Sequence, residues 1–252
     1  MTTLIIVQAR MSSTRLPGKV LLPLAGEPML TRLIERLRRV QRADGIVVAT
    51  TTNASDDPIA ALCAQLGVPC HRGSEHDVLA RYADAARLND ADTVVRITSD
   101  CPLIDPALID QVIAVYEEGE SDYVSNMLPP TWPYGMAVEV FSAAALAQAH
   151  AEATQAAERE HVTPFIYWHP ERYRLRNVAS PVDLSHHRWT VDTPEDYELV
   201  RRLFDSLVPA HPAFTQADVL ALLDTHPDWV AINQHIQQKP ATDTQKPTES
   251  TP

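Results

Sequence analysis

The chain has 252 residues, 45% hydrophobic and 21% charged, and its 33 Asp plus Glu against 21 Lys plus Arg leave a net charge of −12. That balance describes a soluble globular protein and argues against a nonspecific nucleic-acid partner or a membrane-surface role. No run approaches the ~18 apolar residues of a bilayer span, and no basic-then-apolar leader opens the sequence. Three cysteines, Cys63, Cys70 and Cys101, have neither an even count nor C-x-x-C spacing, so reduced thiols in a cytoplasmic protein are expected.

The first element is an apolar run of strand length over 4–9. Directly after it, residues 8–19 read Gln-Ala-Arg-Met-Ser-Ser-Thr-Arg-Leu-Pro-Gly-Lys, placing Arg10, Arg15 and Lys19 on one short loop. Cations that close repel unless an anion lies between them. A polyphosphate suits the flat fork of Arg, the point charge of Lys and the main-chain N–H groups of such a loop. The plainer alternative is three solvated side chains. The loop is not a Walker A motif, because Val20 follows Gly18-Lys19, and it has no G-x-G-x-x-G pattern.

Further along, Met29, Leu30, Leu33, Ile34 and Leu37 fall at helical spacing. A second strand is expected over 46–50. A helix starts at Asp57-Pro58 and stops at Gly67. The spacing then predicts strands over 68–71, 93–97 and 122–125, alternating with helices over 77–88 and 106–118. Residues 126–136 carry too much proline for a helix or a central strand and read as a shaped loop. A strand over 137–141 follows, then helices over 143–151 and 158–168 and strands over 173–178 and 188–191. Thr193-Pro194-Glu195-Asp196 is a capped helix start leading through 197–207, and 215–223 is a short helix. The stretch 237–252 has three prolines and no large apolar residue, so a disordered tail is expected.

The β-α-β-α alternation predicts an α/β fold, a mixed, mostly parallel sheet flanked by helices, in one domain over 1–236. Ligands of such sheets bind beyond the carboxyl ends of the strands. The basic loop and Asp100 both lie at that edge. A strand-end carboxylate facing a polyphosphate suits Mg²⁺, though Asp100 reads equally well as a turn or helix cap. Asp192 has the same two readings. His186 and His187, adjacent before an expected strand, should point to opposite faces. His161 is either a substrate contact or an ordinary packed histidine. Cys101 and the four tryptophans, Trp132, Trp168, Trp189 and Trp229, read as packing residues.

The 8–19 stretch together with Leu24-Ala25-Gly26-Glu27-Pro28-Met29 resembles the opening of the sugar-acid cytidylyltransferases. The closer resemblance is to the spore coat polysaccharide biosynthesis protein F family. It extends through 72–81, 96–105, Tyr123-Val124-Ser125-Asn126, Val138-Glu139-Val140-Phe141, 159–164 and Arg188-Trp189-Thr190-Val191-Asp192, covering about residues 3–208. The resemblance implies a nucleotide-diphosphosugar transferase fold, Rossmann-like, with a dimerisation and substrate region inserted at about 126–180. It implies attack of a sugar hydroxyl on the α-phosphate of CTP with release of pyrophosphate. By position, nucleotide binding falls to Gln8, Ala9, Arg10, Ser13, Arg15, Lys19, Arg72 and Thr98, with Arg15, Lys19 and Asp100 catalytic. Asp100 and Asp192 would hold Mg²⁺. Asn126, Tyr134, Glu139, Arg159 and His161 fall where a sugar or sugar acid could be met, and a homodimer is expected. Thr98 departs from the Gln that usually stands near cytosine in these enzymes, which bears on the choice of base.

Two other readings stand beside this one. A glycosyltransferase of the same fold would need an Asp-x-Asp pair, whereas Asp100 has only Asp105 beyond a proline. A binding protein that has lost catalysis would not be expected to keep Arg15, Lys19, Asp100 and Asp192.

Overall fold

In a computed structural model, which describes residues 1–237, the chain builds one seven-stranded sheet with helices on both faces. In chain order the elements begin with β1 (Thr3–Gln8), a 3-10 turn at Lys19–Leu21 (another follows at Ala54–Asp56), and a small hairpin of β2 (Pro23–Leu24) and β3 (Glu27–Pro28). Then come α1 (Met29–Leu37), β4 (Gly45–Thr51), α2 (Asp57–Leu66), β5 (Cys70–Gly73), α3 (Val78–Leu88), β6 (Thr93–Thr98), α4 (Pro106–Glu117) and β7 (Tyr123–Ser125). The remainder comprises β8 (Glu139–Ser142), α5 (Ala143–Glu152), α6 (Ala156–His161), α7 (Pro164–Tyr167), β9 (Leu175–Asn177), α8 (Pro194–Leu207), α9 (Gln216–Thr225) and α10 (Pro227–Val230).

The sheet order is β5-β4-β1-β6-β8-β7-β9. β1 runs parallel to both β4 and β6, while β8 is antiparallel to β6 and β7. The period of two in each strand divides the core. Ile5, Val7, Val48, Val95 and Ile97 face α1, α2, α4, α8 and α9, and Leu4, Ile6, Val47, Val94 and Phe141 face α3, α5 and α7. The segment 126–180 is threaded into the same sheet through β8 and β9. Among the described residues no helix is long and apolar enough to cross a membrane. The tail expected over 237–252 lies outside the described residues, Gln237 excepted.

Most expected elements form within a residue or two, including the capping box at Thr193 and Asp196. Four expectations are corrected. The third strand sits at Cys70–Gly73, two residues later than its apolar run. The single helix over 158–168 is two short ones. Val162 stands at φ 73 and Pro164, with no N–H to donate, begins α7. The strand over 188–191 does not form; Arg188 makes one isolated bridge to Tyr134. His186 and His187 therefore lie on a turn rather than a pleat, and their rings sit side by side, centroids 4.2 Å apart at a tilt of 38°, instead of opposing.

Candidate active site

The carboxyl edge of the sheet opens into a cleft of about 290 Å³, lined on one side by the loop after β1 and on the other by α3 and α6. Its shape begins with the loop. Met11 N donates to Asp56 Oδ1 at 2.8 Å, and Gly18 N closes the loop on Met11 O at 2.9 Å. Asp56 is itself buried and accepts from Thr50, Thr51 and the Thr51 main chain. Gly18 has φ 71, a left-handed turn that Gly adopts without strain, and it directs Lys19 inward.

Lys19 ends at the centre of the cleft. Its ammonium donates to Asp100 Oδ2 at 2.9 Å, Asp192 Oδ1 at 2.9 Å and Val191 O at 2.8 Å. Arg15 pairs with Asp192 Oδ2 at 2.9 Å. The two carboxylates are drawn together through the main chain, because Val191 N donates to Asp100 O at 2.8 Å and Thr190 Oγ1 does so at 3.2 Å. Behind them, Arg188 donates to Asp192 Oδ2 at 3.2 Å and to both oxygens of Asp196 at 2.8 Å. Three cations, Arg15, Lys19 and Arg188, thus balance three carboxylates, Asp100, Asp192 and Asp196.

The electrostatics follow from that balance. Burial alone would lower the Lys19 ammonium, but Asp100 and Asp192 outweigh it and hold it above 10.5. Burial alone would raise Asp100, yet Lys19 and the Thr98 hydroxyl bring it down to about 2. Cys101 is buried and its thiol is pushed upward by burial and by Asp100, so it stays protonated and inert. Burial lowers the His161 imidazole below 6.5, leaving it neutral at pH 7.

Gln8, Ala9, Arg10, Ser13, Thr98, Tyr134 and His161 line the cleft with Arg15, Lys19, Asp100 and Asp192. Among the described residues Arg10 has no ion pair. Four sequence candidates are elsewhere. Arg72 donates to Thr51 O and Asn53 O, each at 2.8 Å, and pairs with Asp57 at 2.7 Å on the edge strand. Asn126 is fully buried and closes its own loop through Met136 O and Val138 N. Glu139 lies beneath the cleft, bound to Arg96, Tyr123 and Thr163. Arg159 pairs with Asp77 at 3.3 Å. Asp105 caps α4, so no Asp-x-Asp pair faces the cleft.

Sequence reasoning passed over Arg81, Glu160, Arg188 and Asp196. Arg188, Asp192 and Asp196 recur at intervals of four, a legible signal. Arg81 lines the cleft at 2% exposure and braces the turn before α3 through Ser74 O at 2.6 Å. A larger depression of about 520 Å³ lies at the amino edge of the sheet. Its charged liners, Arg38 and Asp44, are already hydrogen-bonded to main chain.

Comparison with known proteins matches the cytidylyltransferase family over residues 4–222. The spore coat polysaccharide biosynthesis protein SpsF of Bacillus subtilis is 34% identical, over 89% of this chain and 95% of its own. The structure of a cytidylyltransferase from Leptospira borgpetersenii superposes with a TM-score of 0.87 at 32% identity, covering 95% of this chain and 99% of that one. A CMP:2-keto-3-deoxy-manno-octonic acid synthetase complexed with CTP shares the fold, with a TM-score of 0.61 and 19% identity over 81% of this chain and 98% of its own.

Proposed function

The chain belongs to the cytidylyltransferase family, and from that premise we propose that it transfers CMP from CTP to a sugar acid or related surface-polysaccharide precursor, with release of pyrophosphate. The observation that carries this reading is the convergence of Asp100 and Asp192 on one ammonium, each at 2.9 Å, beside a wall of Arg10, Ser13 and Arg15. The SpsF relative's role in polysaccharide biosynthesis and the CTP held by the fold neighbour point the same way.

Arg10, Arg15 and Lys19 bind the triphosphate. Arg offers two parallel N–H groups to phosphoryl oxygens, and Lys concentrates its charge at one point. In an acidic protein these are the groups that attract a polyanion to this edge. The same donors stabilise charge developing on the departing pyrophosphate, the part of nucleotidyl transfer that positioning and electrostatics perform.

The point where Asp100 and Asp192 meet now accepts a cation, the ammonium, through hard carboxylate oxygens, which is the donor set magnesium prefers. No group of three His, Cys, Asp or Glu among the described residues could hold a metal, so phosphate and water would complete the shell. Bound there, Mg²⁺ would supply positive charge against the α-phosphate. Neutral His161 and Tyr134 face the same space and orient the acceptor hydroxyl. Thr98 at the floor leaves the choice of CTP resting on family membership. The same reading has the enzyme acting as a cytoplasmic homodimer.

The test is a panel of nucleoside triphosphates with Mg²⁺ and sugar acids, read as pyrophosphate. CTP should give turnover, and Lys19→Met or Asp100→Asn should lower kcat by about 10²–10³-fold in folded protein. Near-normal turnover in both variants would overturn the assignment. Release of nucleoside diphosphate from a nucleotide sugar would make the enzyme a glycosyltransferase.

A further inference from the structure

A second cavity, of about 280 Å³, lies between the carboxyl half of α1, the end of α8 and the segment leading into α9. It is separate from the cleft and plays no part in the function proposed above. Its walls combine Arg32 and Arg36 of α1, and Arg39 just beyond it, with Phe204, Ala213 and Phe214.

The arginines are not equally satisfied. Arg32 pairs with Glu35 at 2.9 Å and donates to Leu24 O and Ala25 O. Arg36, 3% exposed, donates to Ile104 O at 2.8 Å, Phe214 O at 3.1 Å and Leu103 O at 3.4 Å, with its guanidinium 4.3 Å over the Phe214 ring. Arg39 is different. Its Nε and Nη2 are buried, and no acceptor reaches either of them among the described residues. Those two atoms form the side-on fork of a guanidinium, which matches two oxygens of a carboxylate or phosphate.

The local charge is also unbalanced. Burial and the nearby Arg39 charge lower Arg36 to about 10. Asp105 acts on both guanidiniums, but its oxygens already hold Ala107 N at 2.9 Å and Gln216 N at 2.7 Å. Glu35 also acts on Arg39 but is committed to Arg32. A buried and a half-buried like charge with two orphan donors are costly unless a negative group joins them.

We propose that this cavity binds a small organic anion, its carboxylate or phosphate taken by the Arg39 fork and its apolar body lying against Val208, Pro212 and Ala213. The volume exceeds that of a bare phosphate, and the apolar lining gives the remainder a place.

The probes are benzoate and phenyl phosphate, titrated into the full-length protein with thermal unfolding as the readout. At a hundredfold excess over Kd, a rise of roughly 5–10 °C is expected, and the probe giving the larger rise identifies the anion class. Lys19→Met should keep the rise and Arg39→Met should lose it. Ala213→Glu places a carboxylate at the exposed rim of the cavity. It should raise Tm without any probe and abolish the response. A rise that survives in Arg39→Met, or disappears in Lys19→Met, places the anion in the cleft and overturns the proposal. So does the absence of any rise in the unmodified protein. Should Arg39→Met fail to fold, Ala213→Glu decides alone, and an unchanged response in it refutes the site.

Discussion

Lys19 holds one ammonium against two carboxylates and a carbonyl in a nearly closed space. Such a group is costly to bury and is retained because its partners are complete. The pH dependence follows from the directions of the shifts. Asp100 is held at about 2 against an ordinary 3.8, so its contribution to stability is present above about pH 4 and fades as pH falls towards 2. Lys19 is displaced upward from 10.5, so its contribution is complete below that value and is lost only as pH rises beyond it. Asp100→Asn should therefore flatten the loss of stability between pH 4 and pH 2, measured by denaturant unfolding at each pH. An unchanged slope would show that Asp100 is not held as the ion pair implies. Arg15, Lys19 and Asp100 were legible as residue types in particular places. Which carboxylate each cation meets was not, because those contacts span 81 residues for Asp100 and 173 for Asp192.

Two segments without regular pairing shape the cleft. One is the 126–136 loop and the other the segment 184–192, which begins with a turn. They are knit by Tyr134 N to His187 O at 2.9 Å and Trp189 N to Tyr134 O at 2.6 Å. Gly135 makes this possible. Its φ is 108, and a Cβ there would lie 2.4 Å from Thr190 N and 2.6 Å from Trp189 C. Gly135→Ala should push the 189–192 run outward, carrying Asp192 with it. We expect a loss of ~1–3 kcal/mol from backbone strain alone, read as a Tm lower by roughly 3–10 °C, with a fall in kcat exceeding any change in KM. Wild-type Tm and turnover in this variant would contradict the close approach. The proline-rich loop was readable from composition. The expected strand at 188–191 was not realised, because its hydrogen bonds go to Asp100 and Tyr134 instead of to a ladder. The helix expected through Val162 breaks for an equally local reason. Pro164 cannot donate to the preceding turn, and the break leaves Glu160 and His161 at the cleft wall.

At the scale of the molecule, the order β4-β1-β6 sets the loop after β1 beside the end of β6, and the run before α8 crosses above both. The net charge of −12 opposes a polyphosphate in general, and under the proposed function the loop cations at this edge overcome it. Under the proposed function, a triphosphate arriving without a metal would meet Asp100 and Asp192 as well as the cations. CTP with Mg²⁺ should therefore raise Tm well beyond CTP with a chelator, following RT ln(1 + [L]/Kd). Equal shifts in the two conditions would count against a metal between those carboxylates.

Periodicity, capping signals and composition determined most of the strand and helix succession and the basic loop, since each depends on neighbours a few residues away. The tertiary structure decided that Arg72 and Arg159 are engaged outside the cleft, that Glu139 lies beneath it with Arg96, and that Arg188 and Asp196 stand behind Asp192. It also decided that Arg36 lies over the Phe214 ring and that Arg39 is left with unmet donors. Those outcomes turn on strand order and on contacts between distant segments, which a local period does not encode.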